Sequence, residues 1–301
     1  MITSALTLKL VDAAKNKGDF ERAKRYWNTF HCQNEITKAG NRIYGKYCKN
    51  RFCTVCNSNR KAQVIKQYLP LVKQWPDPQF VTLTVRAVYA QSLSRRLTEV
   101  YKNFQKIISK YKKRNQRGKG IRLMGIRSIE SNFNPEDLTY NPHIHLVVPD
   151  KETAEILVKE WLAIWPKYYT SRKGQRIDPV NNLEKVLIEI MKYTSKVFTD
   201  PTMETDKKKK SKLPHRIYVA ALDNIIAALE RHRCFDRFGF NLPAKKMKVS
   251  IRTTLTIYSD LKYSLKLNDW IDPGTDELLT DYQPPPPLME ILKNDIDMVL
   301  Q

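Results

Sequence analysis

Apolar positions recur at helical spacing through residues 1–30, at Ala5, Leu6, Leu8, Leu10, Val11 and Ala13–Ala14, then at Phe20, Ala23 and Trp27. Residues 31–60 break the period with turn-formers, bases and cysteines. Phe80–Val85 (FVTLTV) follows Pro76-Asp-Pro78 and predicts a buried strand. From Leu93 to about Lys113 the apolar residues Leu93, Leu97, Val100, Tyr101, Phe104, Ile107, Ile108 and Tyr111 keep helical spacing, which predicts one long helix. Strands are predicted near Ile121–Glu130 and at His143–Val148, and helices at Glu152–Trp165, Glu184–Phe198 and about Ile217–His232. Lys207–Lys212, between Pro201 and Pro214, predicts a linker. After Pro284–Pro287 a short last helix is expected near Leu288–Leu300.

Strands set between helices, with long connections, predict an α+β fold with a core of roughly 120 residues. A small metal module precedes it. The expected division is residues 1–75 for an N-terminal helical and cysteine module and 76–200 for the central domain. Residues 201–301 are expected to form a basic linker, helical extension and tail.

Charge narrows the partner. Lys and Arg number 53 against 31 Asp and Glu, a net charge of +22. Solubility needs far less than this, so the excess points to a polyanion. A membrane surface is the weaker choice, because the apolar stretch Tyr218–Leu229 is too short to span and is broken by Asp223 and Asn224. The N-terminus has no basic segment ahead of a continuous apolar run, so no secretory signal is read and a cytoplasmic location is expected.

Four of the five cysteines fall in the pattern Cys32-x15-Cys48-x4-Cys53-x2-Cys56. A Cys-x2-Cys pair sets two thiolates on one turn, and two more complete a tetrahedron, the coordination Zn²⁺ prefers. With no open position, such a zinc is structural. His31, beside Cys32, is an alternative ligand, and Cys234 is left over as a small buried residue. Arg51, Arg60 and Lys61 near this segment, with Lys207, Lys208, Lys209 and Lys210 in the linker, are candidate phosphate contacts.

His143 and His145 stand two apart on a predicted strand, so alternation aims both imidazoles at one face while Ile144 and Leu146 take the other. Glu130 is the candidate third ligand, and two imidazoles with a carboxylate suit Mg²⁺, Mn²⁺ or Zn²⁺. On the helix Glu184–Phe198, Glu189, Tyr193 and Lys196 share one stripe, opposite Leu187, Ile190, Met191, Thr194 and Phe198. A phenol is a poor nucleophile until its electrophile is polarised or its proton removed. A divalent ion at the histidines meets the first need, Lys196 can steady a phosphate, and Glu189 can activate a second nucleophile such as water.

These segments together resemble the HUH endonuclease superfamily, specifically its zinc-containing plasmid replication initiators of the Rep_1 type. Phe80–Val85 resembles the family's first strand motif and Asn141–Val148 (NPHIHLVV) its histidine–hydrophobic–histidine motif. Tyr193-Thr-Ser-Lys196 resembles the Tyr-x-x-Lys motif, and Cys48-x4-Cys53-x2-Cys56-x3-Arg60-Lys61 the upstream cysteine segment. The order of cysteines, histidines and tyrosine is the replication-initiator order, and Val197 in place of a second tyrosine indicates the single-tyrosine group.

The resemblance implies a central antiparallel sheet of about five strands flanked by helices, with the histidines on a central strand and the Tyr193 helix across it. It implies Tyr193 as nucleophile, His143 and His145 as ligands of a catalytic Mg²⁺ or Mn²⁺, Glu189 as the residue that helps end the cycle, and a structural Zn²⁺. The substrate is then single-stranded or hairpin plasmid origin DNA, nicked through a 5′-phosphotyrosine link, with host helicase and polymerase as partners. The rival readings are a transposase of the same superfamily, a zinc-bearing DNA-binding protein without catalysis, and a zinc hydrolase using His143, His145 and Glu130.

Overall fold

A computed structural model describes residues 2–40, 42–196, 215–243, 259–264, 266–267 and 269–280, leaving aside the side chains of 2–5, 42, 192–196 and 215. The chain divides into two compact units, residues 1–58 with 244–301, and residues 59–243.

In the first unit the helices α1 (Ile2–Asn16) and α2 (Phe20–Phe30) pack together, as the opening apolar period predicts. The turn between them needs Gly18, whose φ of +72° disfavours a side chain. Asp19 caps α2 by accepting the Arg22 backbone N–H at 2.9 Å. A hairpin of β1 (Glu35–Ala39) and β2 (Arg42–Gly45) follows where only turns were expected. β1 pairs on its other edge with β8 (Ser259–Ser264), which pairs with β9 (Asp269–Ile271), giving a four-stranded antiparallel sheet in the order β2-β1-β8-β9. The Trp270 indole N–H donates to the Gln33 carbonyl at 2.6 Å and ties this return to the loop beside Cys32.

The second unit is built on a five-stranded antiparallel sheet. Its strands are β3 (Gln79–Thr84), β4 (Gly125–Asn134), β5 (Thr139–Val148), β6 (Arg176–Pro179) and β7 (Phe235–Phe238), in the order β6-β3-β5-β4-β7. The strand expected at Ile121–Glu130 is shifted to Gly125–Asn134, so Glu130 lies within it rather than at its end. The strand runs on to Asn134 because its pairing with β5 continues through Asn134↔Thr139. Gly125 at its start leaves no room for a side chain, since a Cβ there would come within 2.6 Å of the Val147 carbonyl oxygen.

Both faces of this sheet are covered. Val81, Leu83, Ile129, Ile144, Leu146 and Val148 meet α4 (Ala90–Gln116), α5 (Lys151–Ile164) and α7 (His215–Leu229) in the larger core. On the opposite face Ile126 and Val147 meet Val64, Tyr68 and Val72 of α3 (Thr54–Val72) and Leu187, Ile190 and Met191 of α6 (Leu183–Lys196). Helix α3 was not anticipated, because its polar residues and Pro70 near its end obscure the apolar period. The predicted last helix near Leu288–Leu300 lies outside the described residues, as does Lys207–Lys212.

Ile144 is fully buried at the centre of β5, opposite Leu83. Ile144→Ala is expected to cost about 2–5 kcal/mol, because a close-packed sheet cannot collapse onto the cavity. Urea unfolding of the full chain measures this.

Candidate functional site

Strand register assembles the site. His143 pairs with Glu130 across β4 and with Thr84 across β3, while His145 pairs with Ser128 and Thr82. Cross-strand partners share a face, so the second face of the sheet turns from apolar at Ile126 and Val147 to polar at Ser128, Glu130, His143 and His145. Glu130 Oε2 lies 3.5 Å from His143 Nε2 and 3.6 Å from His145 Nε2, and all three side chains are buried.

The other ring nitrogens explain the orientation. His143 Nδ1 stands 2.8 Å from the Asn141 carbonyl, which only accepts, so Nδ1 carries the proton and Nε2 presents a lone pair. His145 Nδ1 meets the Thr82 hydroxyl at 3.1 Å, and Phe80 stacks on its ring with centroids 5.1 Å apart. Burial pushes the Glu130 carboxyl up to about 7, against the pull of His143, and the nearby Glu189 charge adds to the rise. Acceptor atoms thus converge in a buried cluster, where a cation would relieve their repulsion. Ligands about 2.1 Å from one ion stand about 3–3.5 Å apart, so the set fits a divalent metal.

Glu189 on α6 is half-buried, and α6 packs on the same sheet face through Leu187, Ile190 and Met191. Tyr193 and Lys196 fall in the last turns of this helix, with side chains outside the description.

The cysteines gather in the first unit. Cys32 Sγ and Cys48 Sγ lie 3.7 and 3.6 Å from Cys56 Sγ, and the four sulfurs are within 4.8 Å of one another. A disulfide brings its sulfurs to about 2.05 Å, whereas tetrahedral ligands about 2.3 Å from an ion stand about 3.8 Å apart. All five cysteines are free thiols. The Cys48 and Asn50 backbone N–H groups point to Cys32 Sγ and Cys48 Sγ at 3.5 and 3.4 Å, as suits thiolates. Hydrogen bonds to Cys48 and Cys53 push the Cys32 thiol up, and those to Cys32 and Cys53 hold Cys48 down, so one sulfur ionises at its neighbours' expense. A bound cation lets all four ionise. His31, the alternative ligand, faces Asn34 Nδ2 at 2.9 Å and packs on Trp27 and Phe30, apart from this set.

Arg51, Arg60 and Lys61 are half-buried and engaged with neighbours, and Lys207, Lys208, Lys209 and Lys210 lie outside the described residues. Sequence reasoning missed Thr82 and the Asn141 carbonyl as orienting partners. The available signal was the alignment of FVTLTV against NPHIHLVV, which sets a threonine opposite each histidine.

A family model described as Replication protein, Rep_1, matches residues 41–234. A "Protein rep" of Staphylococcus aureus is 32% identical over 166 residues, covering 50% of this chain and 69% of the relative. A "Protein rep" of Streptococcus pneumoniae serotype 2 is 29% identical over 139 residues, or 41% of this chain and 42% of the relative. A third, from Bacillus sp, is 30% identical over 131 residues, or 40% and 41%. The matches thus span less than half the length of the second and third relatives. No solved structure matches.

Proposed function

Because this chain belongs to the Rep_1 replication protein family, we propose that it starts rolling-circle replication by nicking one strand of a plasmid origin and later rejoining it. The observation that carries the proposal is the Glu130–His143–His145 cluster, set on the sheet face against which the Tyr193 helix packs.

In this reading His143, His145 and Glu130 hold Mg²⁺ or Mn²⁺. When bound, such an ion withdraws charge from a scissile phosphate. The Tyr193 oxygen attacks the phosphorus in line as its proton passes to water. The bond to the 3′ oxygen breaks and that oxygen takes a proton from water, so a free 3′-OH and a 5′-phosphotyrosine result. The covalent link keeps the bond energy, so rejoining needs no nucleotide cofactor. Lys196 steadies the phosphate. Glu189 takes a proton from water, or from another late nucleophile, when the round must end. The Asn141 carbonyl holds His143 in the tautomer that binds an ion, and the Thr82 hydroxyl orients the His145 ring.

The cysteine quartet holds Zn²⁺ and keeps the first unit folded, with Arg51, Arg60, Lys61 and Lys207–Lys210 gripping phosphates. The division of labour at residues 1–75, 76–200 and 201–301 belongs to the same proposal, as do a cytoplasmic site of action and reliance on host helicase and polymerase. Among the described residues no helix is long and apolar enough to cross a membrane.

The test is a covalent complex. The full chain, incubated with Mn²⁺ and single strands from its origin, should yield a protein–DNA adduct that survives denaturation and is lost on protease treatment. His143→Ala should lower adduct yield at least about a hundredfold while binding falls less than about threefold, since it removes a metal ligand rather than a phosphate contact. An adduct formed equally well by His143→Ala would remove the histidine cluster from the chemistry.

A further inference from the structure

At the end of β3 next to the histidines, the segment following α5 is fixed to a single residue. Thr84 accepts at its carbonyl from the Trp161 indole N–H at 3.0 Å and from the Thr170 hydroxyl at 3.2 Å. Its N–H donates to Gln175 Oε1 at 2.8 Å, and its hydroxyl donates to the Gly174 carbonyl at 2.8 Å. Gln175 is itself buried, and its amide donates back to the Thr170 hydroxyl at 2.8 Å. The Arg86 N–H closes the clamp on the Tyr169 carbonyl at 2.7 Å. Thr84 pairs with His143, so the clamp is anchored one strand, about 4.8 Å, from a metal-ligand position.

The clamp holds an aromatic ring out in water. Tyr168 is 67% exposed although its neighbours are fixed. The Arg86 guanidinium lies 4.3 Å over its ring, and Tyr169 meets it edge-on at 5.2 Å. Behind it, the Arg96 guanidinium lies 4.0 Å over Tyr169 and 5.5 Å over Trp165, and Trp165 meets Trp161 at 5.5 Å. Aromatic and arginine side chains thus contact one another in a row from Trp161 in the core to Tyr168 and Arg86 at the surface, which holds the Tyr168 ring in place at low entropic cost. It borders a cavity of about 300 Å³ lined also by Arg86, Lys167 and Gly174. The residues lining this cavity carry the cations Arg86 and Lys167 and no Asp or Glu, while Arg176 farther along pairs with Asp178 at 3.2 Å.

A cationic rim around an exposed, fixed aromatic is the combination that binds unpaired nucleic acid, with phosphates on the rim and a base on the ring. We propose that Tyr168, backed by Arg86, is a stacking platform that grips one unpaired base of the DNA strand lying across the histidine site. The choice of single-stranded DNA as occupant rests on the replication reading above. A duplex cannot use the platform, because its bases are already stacked.

The test measures binding of a fluorescein-labelled, mixed-sequence single-stranded oligodeoxynucleotide and of its duplex, by anisotropy, without added divalent ion and at two salt concentrations. Tyr168→Ala should weaken single-strand binding about fivefold or more, by the same factor at both salt concentrations, because stacking releases no counterions. Tyr168→Phe should match the parent, and duplex binding should change less than about twofold. Because Tyr168 is exposed, the thermal midpoints of both variants should equal the parent's. The proposal is overturned if Tyr168→Ala binds the single strand within about twofold of the parent, if Tyr168→Phe loses as much, or if the duplex weakens equally. The adduct assay on the unaltered chain reports separately on the nickase reading: lack of an adduct would count against that reading and leave the binding comparison intact.

Discussion

Replacing Tyr193 by phenylalanine should abolish the protein–DNA adduct and lower origin cleavage by at least about a thousandfold, while binding of the same strand stays within about twofold. The substitution keeps the ring and removes one oxygen, so in the proposed reading only the nucleophile is lost. The helix needs no tyrosine hydroxyl for its place on the sheet, since Leu187, Ile190 and Met191 make that packing. Glu189→Ala gives the contrasting result. It should still nick and attach, then fail to end the round, so that covalently trapped or over-length products accumulate. The pair of variants is read by denaturing gels of labelled origin strands with and without protease. A Tyr193→Phe protein that cleaves normally would defeat the assignment and point to water or another side chain.

In the reading proposed above, loss of the ion held by the cysteine quartet should have the largest effect on stability. The full chain, purified and washed with a mild chelator, should retain about one zinc. Cys53→Ser should lose it and leave the first unit unfolded, because a structural zinc site contributes about 10–16 kcal/mol of apparent binding free energy, more than a small unit's whole stability. Three remaining thiols cannot close the tetrahedron, and the sheet formed by β1, β2, β8 and β9 has a small core of its own, with Ile36 and Leu261 paired across it. Metal analysis and protease sensitivity of residues 1–58 measure the two consequences. A metal-free chain with five titrating thiols and an unchanged fold would refute the role given to this cluster.

How much of this was legible in the sequence depends on the range of each interaction. Alternation in NPHIHLVV is local, and it alone set both imidazoles on one face and Ile144 and Leu146 in the core. Cysteine spacing gave the quartet that converges, and the helical stripe of Leu187, Ile190 and Met191 gave the buried face of α6. The charge of +22 and the ordered motifs brought the family resemblance that the comparisons then bore out. Strand register was not legible, because it depends on packing summed over residues distant in the chain, and a slip of one residue would turn Glu130 to the opposite face. Tertiary structure alone set Glu130 opposite His143, placed Thr82 against His145 Nδ1, and paired β8 with β1 from the far end of the sequence. It also tied the segment that carries Tyr168 to Thr84, because such a clamp consists of hydrogen bonds between segments that no local pattern relates.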